Sequence, residues 1–138
     1  MPLGLGGFRS LLAPVRLAGF VFAVFTLALF VAPAVARADA LVMFEQVGCP
    51  YCAQWNKDVG SVYAKTDEGK LLPLVRVDLH AKRSAAFDNI GGVRYTPTFV
   101  VMHCGREFSR ITGYLGDEQF WGLIDASLRS LKEAPKCL

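Results

Sequence analysis

Metal-ligating residues are scarce in this chain of 138 residues, which has two histidines and four cysteines. A structural zinc site needs four ligands, usually a second Cys-x-x-Cys pair or two closely spaced histidines. Here one such pair is present, at Cys49 and Cys52, and the two histidines, His80 and His103, lie far apart in the sequence. The sequence therefore argues against a zinc site.

Runs of basic residues are absent too. Three of the 15 Lys and Arg residues lie in the first 38 positions, so the remaining 100 residues carry 12 basic and 12 acidic side chains. A net charge of zero without a cluster of one sign gives no electrostatic basis for binding nucleic acid. We expect one compact domain over residues 39–138, since 100 residues suffice for one core.

Acidic residues are missing altogether from residues 1–38. Arg9 and Arg16 precede an uncharged apolar run from Leu17 to Ala36, and the segment closes with Ala36-Arg37-Ala38. This order of basic, apolar and small residues is typical of a secretory signal peptide. The run is also long enough to span a membrane, so two alternatives stay open, cleavage after Ala38 and retention as an anchor. Either one places residues 39–138 outside the cytoplasm, which in a bacterium is the periplasm.

The motif Cys49-Pro50-Tyr51-Cys52 indicates thiol–disulfide chemistry. Two thiols at this spacing can close a small disulfide ring, and at the start of a helix the free N–H groups and peptide dipoles favour a thiolate. A thiolate attacks the disulfide of another protein, and the neighbouring thiol then releases the product. We predict that Cys49 is the exposed nucleophile and that Cys52, one turn further on, resolves the mixed disulfide. Pro50 and Tyr51 are expected to tune the redox potential.

Hydrophobic periodicity predicts alternating strands and helices. Short apolar runs predict four strands, with a hairpin turn at Cys104-Gly105 joining the last two. The predicted strands cover residues 40–44, 71–79, 98–103 and about 107–112. Helical spacing and end signals predict three helices over residues 51–65, 80–90 and 116–131. The order βαβαββα predicts an α/β fold in which three helices flank a four-stranded mixed sheet.

This order of elements, with Cys-x-x-Cys opening a helix and Tyr95-Thr96-Pro97-Thr98 leading into a hairpin, resembles the thioredoxin fold over all of residues 39–138. The resemblance implies a cis Pro97 that packs against the active-site disulfide. It also implies that Thr96 and Pro97 bind an extended substrate segment by strand addition. Gly113 would lie in the loop facing the dithiol, where a glycine lets a substrate backbone approach closely. Thr96 resembles the threonine of periplasmic isomerases and reductases, which favours reduction or isomerisation over oxidation.

Two side chains near the motif allow more than one interpretation. Where thioredoxin has a buried aspartate six residues before the nucleophile, this chain has Met43. Glu45 lies two residues further on, on the same face of the strand, and is either a general base acting through a water or a solvated strand end. Trp55 is expected to pack in the core rather than form a substrate surface.

The leader, the Gly-Cys-Pro-x-Cys site, Trp55 and the Thr-Pro loop are similar to those of the periplasmic thioredoxin-like proteins of the bacterial Sox sulfur-oxidation system. This resemblance implies an oxidoreductase without a cofactor that keeps the cysteine-bearing sulfur-carrier protein of that system reduced. We expect a monomer that receives electrons from a membrane thiol-transfer protein. Two alternatives stay open, a glutathione-linked glutaredoxin, since Pro50-Tyr51 matches the dipeptide of that class, and a Cu(I) metallochaperone using Cys49 and Cys52.

Cys104 and Cys137 are both predicted to lie at the end of the domain away from the dithiol. The strand after Cys104 runs toward the dithiol, and the last helix returns over a similar length before Cys137. An oxidising compartment and an even number of cysteines are compatible with a disulfide between them. A structural disulfide and two free thiols remain the alternatives.

Overall fold

A computed structural model describes residues 39–137 of the chain. Its four strands form one sheet in the order β2-β1-β3-β4, in which β1 pairs in parallel with β2 and antiparallel with β3, and β3 pairs antiparallel with β4. The strand bounds are β1 Ala40–Glu45, β2 Leu74–Asp78, β3 Thr98–His103 and β4 Arg106–Thr112. The predicted four-stranded mixed sheet with three helices is confirmed.

The first predicted helix, over residues 51–65, is interrupted. It begins as α1 (Pro50–Trp55), widens into a π-helical turn over Asn56–Gly60 and ends as a 3-10 turn over Tyr63–Lys65. Gly60 lies against the indole ring of Trp55, so close that a Cβ at this position would come within 3.0 Å of it. A glycine at this position therefore leaves room for the buried indole.

A separate helix, α2 (Asp67–Leu71), begins where the prediction had only the connection to β2. Thr66 caps it, because the Thr66 hydroxyl oxygen accepts the Gly69 N–H at 3.1 Å. A threonine in this position satisfies one of the free N–H groups at a helix start. Thr66 is therefore a capping signal in the connection between the first predicted helix and β2.

The predicted helix over residues 80–90 is wrong, since only a 3-10 turn at Ala85–Phe87 forms there. At its two ends, the Asp78 carboxylate accepts the His80 N–H at 2.8 Å, and Arg83 donates to the Ile90 carbonyl at 2.6 Å. Inside the segment, Ser84 has an extended backbone, and its hydroxyl oxygen accepts the Ala86 N–H at 3.4 Å. A local bond of this kind competes with a continuous helix. The described chain nevertheless has three α-helices, because α2 precedes β2 and α3 (Asp117–Glu133) follows β4.

Both faces of the sheet are buried, and alternate residues of the central strands belong to different cores. One core lies beneath α1 and α3 and is rich in aromatic rings, and the other lies against the segment after β2. The first core includes Leu41, Met43, Trp55, Tyr63, Phe99, Phe120 and Ile124, and the second includes Val42, Phe44, Ile90, Val100 and Met102. Within residues 39–137, no helix combines the length and the apolar character needed to cross a membrane.

Candidate active site

Cys49 and Cys52 are joined by a disulfide at the start of α1. Cys49 is the N-cap of the helix, and its sulfur accepts the Cys52 N–H at 3.1 Å, while Pro50 occupies the first turn. Proline suits this place because its missing N–H would have had no partner in the helix. Cys49 is 7% exposed and Cys52 is 4% exposed. Cys49 is thus less exposed in the disulfide form than we expected of a nucleophile, although it is the more exposed of the pair.

Strand pairing brings two further loops to the dithiol end of the sheet. Phe44, near the end of β1, pairs with Thr98 at the start of β3, and Thr98 pairs with Thr112 at the end of β4. The Thr96–Pro97 peptide bond, just before β3, is cis. Gly113, just after β4, donates its N–H to the Pro97 carbonyl at 2.8 Å. Three residues predicted to bind substrate, Thr96, Pro97 and Gly113, are therefore brought together.

Gly113 has a φ of +84°, a backbone conformation that side chains disfavour. A Cβ at this position would meet nothing within 4 Å. Glycine is therefore required by the turn, and the space in front of it is open.

A groove runs along the dithiol between the end of β1 and the first residues of α1. Its walls are formed by Glu45, Gln46, Gly48, Cys49, Pro50, Cys52, Ala53 and Asn56. The two cysteines belong to the aromatic core on their other side. An approaching sulfur atom would therefore reach the disulfide from the groove.

Glu45 is held by an arginine that the sequence analysis did not identify. Arg76 of β2 donates from Nε to one Glu45 carboxylate oxygen at 2.7 Å and from Nη2 to the other. The same Nη2 donates to Asn56 Oδ1 at 2.9 Å, and the guanidinium lies 5.9 Å from the centre of the Trp55 ring. Hydrogen bonding to Glu45 raises the pKa of Arg76, so the guanidinium stays charged. Glu45 is the salt-bridge partner of Arg76 at the groove wall, and not a freely solvated strand end.

Trp55 packs in the core, as expected. It is fully buried, and its ring centre lies 5.2 Å from that of Phe99 and 5.6 Å from that of Phe120. The indole Nε1 is buried without a hydrogen-bond partner in the described residues. Trp55 thus anchors the end of α1 to the sheet, three residues after Cys52.

Tyr114 connects the loop after β4 to the π-helical turn after α1. Its hydroxyl donates to Asp58 Oδ2 at 3.0 Å, and its ring packs in the same core as Cys49 and Cys52. Burial of the ring, followed by the bond to Asp58, raises the pKa of Tyr114 to about 12. The hydroxyl is therefore a neutral donor at ordinary pH. The two residues are 56 positions apart, which explains why local sequence patterns did not reveal the pair.

Exposed apolar side chains border the dithiol. Val47 precedes the motif and is 94% exposed, Tyr51 lies within it, Tyr95 precedes the cis peptide bond, and Leu115 follows Gly113. Exposed apolar residues that are grouped in this way are typical of protein-binding surfaces. We call these four residues the apolar rim.

The other two cysteines form a second disulfide, Cys104–Cys137, at the opposite end of the sheet. Cys104 occupies the turn between β3 and β4, with a φ of +51°, and Cys137 lies in the segment after α3. Of the two alternatives that the sequence left open, the structure therefore has the disulfide.

The family model of the thioredoxin-like domain matches the sequence over residues 27–128. The chain therefore belongs to the thioredoxin-like family. Members of this family carry out thiol–disulfide oxidoreduction on protein disulfides with their cysteine pair and need no cofactor. The chain is thus a thiol–disulfide oxidoreductase.

Among solved structures, the chain is similar to the periplasmic thioredoxin SoxS from Paracoccus pantotrophus, in its reduced form. The two are 36% identical with a TM-score of 0.61, over 64% of this chain and 94% of that one. Thioredoxins from Malassezia sympodialis and Fasciola hepatica are 21% and 23% identical, with TM-scores of 0.51 and 0.50, and support the fold alone. The matches cover 66% of this chain in both cases, and 76% and 82% of those chains. No curated protein sequence matches the chain.

Proposed function

We propose that this chain reduces or isomerises disulfide bonds of protein clients in the periplasm, with Cys49 as the nucleophile and Cys52 as the resolving cysteine. The observation that carries the assignment is the hydrogen bond from the Cys52 N–H to the Cys49 sulfur. The same N–H would stabilise negative charge on Cys49 once the disulfide is reduced. Cys49 is also the cysteine next to the exposed Gly48.

The reaction proceeds by two sulfur exchanges. The Cys49 thiolate attacks one sulfur of a client disulfide, a new bond forms between them, and the other client sulfur leaves as a thiolate. The Cys52 thiolate then attacks the Cys49 sulfur, which releases the second client thiolate and closes the Cys49–Cys52 disulfide. Two electrons pass from the dithiol to the client. In isomerisation, a client thiolate rather than Cys52 attacks the mixed disulfide, and the dithiol is recovered.

Net reduction needs a supply of electrons after every turnover. We assign this role to a membrane thiol-transfer protein, which would reduce the Cys49–Cys52 disulfide by the same exchange chemistry. Thr96, which forms the cis peptide bond with Pro97, supports reduction or isomerisation rather than oxidation, by its resemblance to the threonine of periplasmic reductases and isomerases.

Client binding is assigned to the loops beside the groove. An extended client segment would add along Thr96 and Pro97, in the manner of an added strand. Gly113 leaves open space opposite, and the apolar rim supplies contact surface. Glu45, fixed by Arg76, supports the site by holding a fixed charge pair at the groove wall rather than by transferring protons.

The similarity to a periplasmic thioredoxin supports a periplasmic location and a client in sulfur oxidation. The client we propose is a cysteine-bearing sulfur-carrier protein kept active by reduction, and the enzyme acts as a monomer. The proposed signal peptide, residues 1–38, lies outside the described residues.

Trapping the mixed disulfide tests the proposed function. A Cys52→Ser variant, exported in the native host, lacks the resolving thiol and is expected to accumulate client proteins bound to Cys49. The matched control is Cys49→Ser/Cys52→Ser, in which those adducts should disappear while the second disulfide is unchanged. Non-reducing separation and mass spectrometry identify the partners, with the membrane fraction analysed for the electron donor. Recovery of no protein adduct on Cys49 would contradict the assignment.

A further inference from the structure

The second disulfide lies beside a histidine. A ring nitrogen of His103 and the sulfur atoms of Cys104 and Cys137 all lie within 4.8 Å of one another. Cys137 is exposed and Cys104 is partly buried, so Cys137 is the more accessible residue of the bond. The chemistry at Cys49 and Cys52, at the other end of the sheet, does not use these residues.

The hydrogen bonds of His103 favour a ring that carries two protons. Nδ1 lies 2.7 Å from a carboxylate oxygen of Asp39, and Nε2 lies 3.0 Å from the carbonyl oxygen of Pro135. Both partners can only accept, and a neutral imidazole has one N–H to donate. The two bonds together therefore favour the imidazolium cation. They also raise the pKa of His103, the bond to Pro135 contributing most and the bond to Asp39 next.

Charged residues lie on three segments next to the ring. Asp39, in the segment before β1, is the acidic group in contact with it. Arg106 is the pairing partner of His103 on β4, and Lys136 precedes Cys137 in the tail. A protonated His103 beside the two sulfur atoms supplies positive charge, which favours a thiolate over a thiol.

We propose that Cys104–Cys137 is a second exchange site, opened by an external dithiol at Cys137, with His103 stabilising the Cys104 thiolate that departs. A thiolate of the dithiol attacks the Cys137 sulfur and forms a bond to it. The Cys104–Cys137 bond breaks, and its electron pair stays on Cys104 as a thiolate beside the imidazolium. The second thiolate of the dithiol then displaces Cys137, which takes a proton from water, and the dithiol becomes a disulfide. Two electrons have passed to the cysteine pair.

Opening this bond changes how the tail is held. Residues 134–137 are fastened by the disulfide and by the bond from His103 to the Pro135 carbonyl. Once Cys137 is free, movement of Pro135 releases the Nε2–H of His103. That N–H can then donate to the adjacent Cys104 thiolate, so release of the tail and stabilisation of the leaving group are one event.

The test uses the full chain, exported and purified, with Cys49→Ser/Cys52→Ser so that only the second pair can react. Dithiothreitol is the dithiol probe, and opening is followed by thiol labelling and intact mass. We expect the rate per probe thiolate to be about threefold to tenfold higher with His103 than in a His103→Gln variant, since a better-stabilised thiolate leaves faster. His80→Gln, at the other histidine, is the matched control and should leave the rate unchanged. The ratio should fall toward one as the pH rises through the pKa of His103.

The position of attack is found separately with glutathione, by acid quenching and peptide mass analysis, and the adduct should be on Cys137. An adduct on Cys104, equal rates with and without His103, or free thiols in the untreated protein would each overturn the proposal. If His103→Gln does not fold, the opening rate is measured against pH in the protein that keeps His103. A rate per probe thiolate that is independent of pH would exclude the role of His103. Exchange at Cys104–Cys137 does not involve Cys49. Failure of this proposal therefore leaves the proposed function at Cys49 and Cys52 untouched, and failure of the proposed function leaves this proposal untouched.

Discussion

Removing the Cys104–Cys137 bond should cost the fold a large share of its stability. The two cysteines are 33 positions apart, and the loop they close contains β4 and α3. The chain-entropy relation gives about 3–4 kcal/mol for a loop of this length, because the bond restricts the unfolded chain. For a domain of this size we expect the melting temperature of Cys104→Ser/Cys137→Ser to fall by about 15–25 °C. The stabilisation acts through the unfolded chain, so it is compatible with rapid exchange at the exposed Cys137.

A second double variant separates the bond from the turn. Cys104 has a φ of +51°, which asparagine adopts more readily than most residues. Cys104→Asn/Cys137→Ser should therefore lose about 1 kcal/mol less than the serine pair. Urea unfolding under non-reducing conditions, with Cys49–Cys52 oxidised, measures both free energies. Suppose that both variants lose less than about 1 kcal/mol of the free energy of unfolding, with an unchanged slope of that free energy against urea concentration. That result would show that the bond does not constrain the unfolded chain as the loop length requires.

Two further predictions concern a glycine and a titration. A Cβ at Gly69 would lie 1.9 Å from the Tyr63 backbone oxygen, so Gly69→Ala should destabilise by about 2–3 kcal/mol or more in urea unfolding. Gly122→Ala has open space on α3 and should stabilise by about 0.5–1 kcal/mol, and equal effects at both sites would refute the steric argument. The pKa of His103 is raised in the folded protein. The contribution of His103 to folding stability is therefore complete below about pH 6.5, the pKa in the unfolded chain, and is lost as the pH rises through the pKa in the folded protein. The melting temperature of the unaltered protein should thus decline over that pH range. The decline should be less steep in Asp39→Asn, and in His103→Gln the part that is due to His103 should be missing. Identical slopes of melting temperature against pH in all three proteins would contradict this prediction.

The strands were predictable because their signals are local. Residues 40–44 and 99–102 are continuous apolar runs, and the central strands of a sheet covered on both faces need such runs. The turn at Cys104-Gly105 follows from the glycine between two such segments. The fold class therefore depends on patterns that span only a few residues each.

The helices were predicted less well because side chains from the same segment compete with the backbone. The Ser84 hydroxyl accepts the Ala86 N–H, and the segment over residues 80–90 forms a 3-10 turn instead of a helix. Helical spacing continues through Gly60, yet the chain there forms a π-helical turn, with Gly60 against the Trp55 ring. Periodicity records which residues are buried and does not record these contacts.

By itself, the sequence determined the chemistry of this protein, since Cys49-Pro50-Tyr51-Cys52 and the Thr96-Pro97 loop can be identified from neighbouring residues alone. Only the tertiary structure decided which distant groups surround that chemistry, such as Arg76 at Glu45. The same holds for His103, whose partners Asp39 and Pro135 lie on different segments. The physical reason is that a motif needs only local spacing. A hydrogen bond between elements depends on strand register and side-chain direction, which are set when the whole core packs.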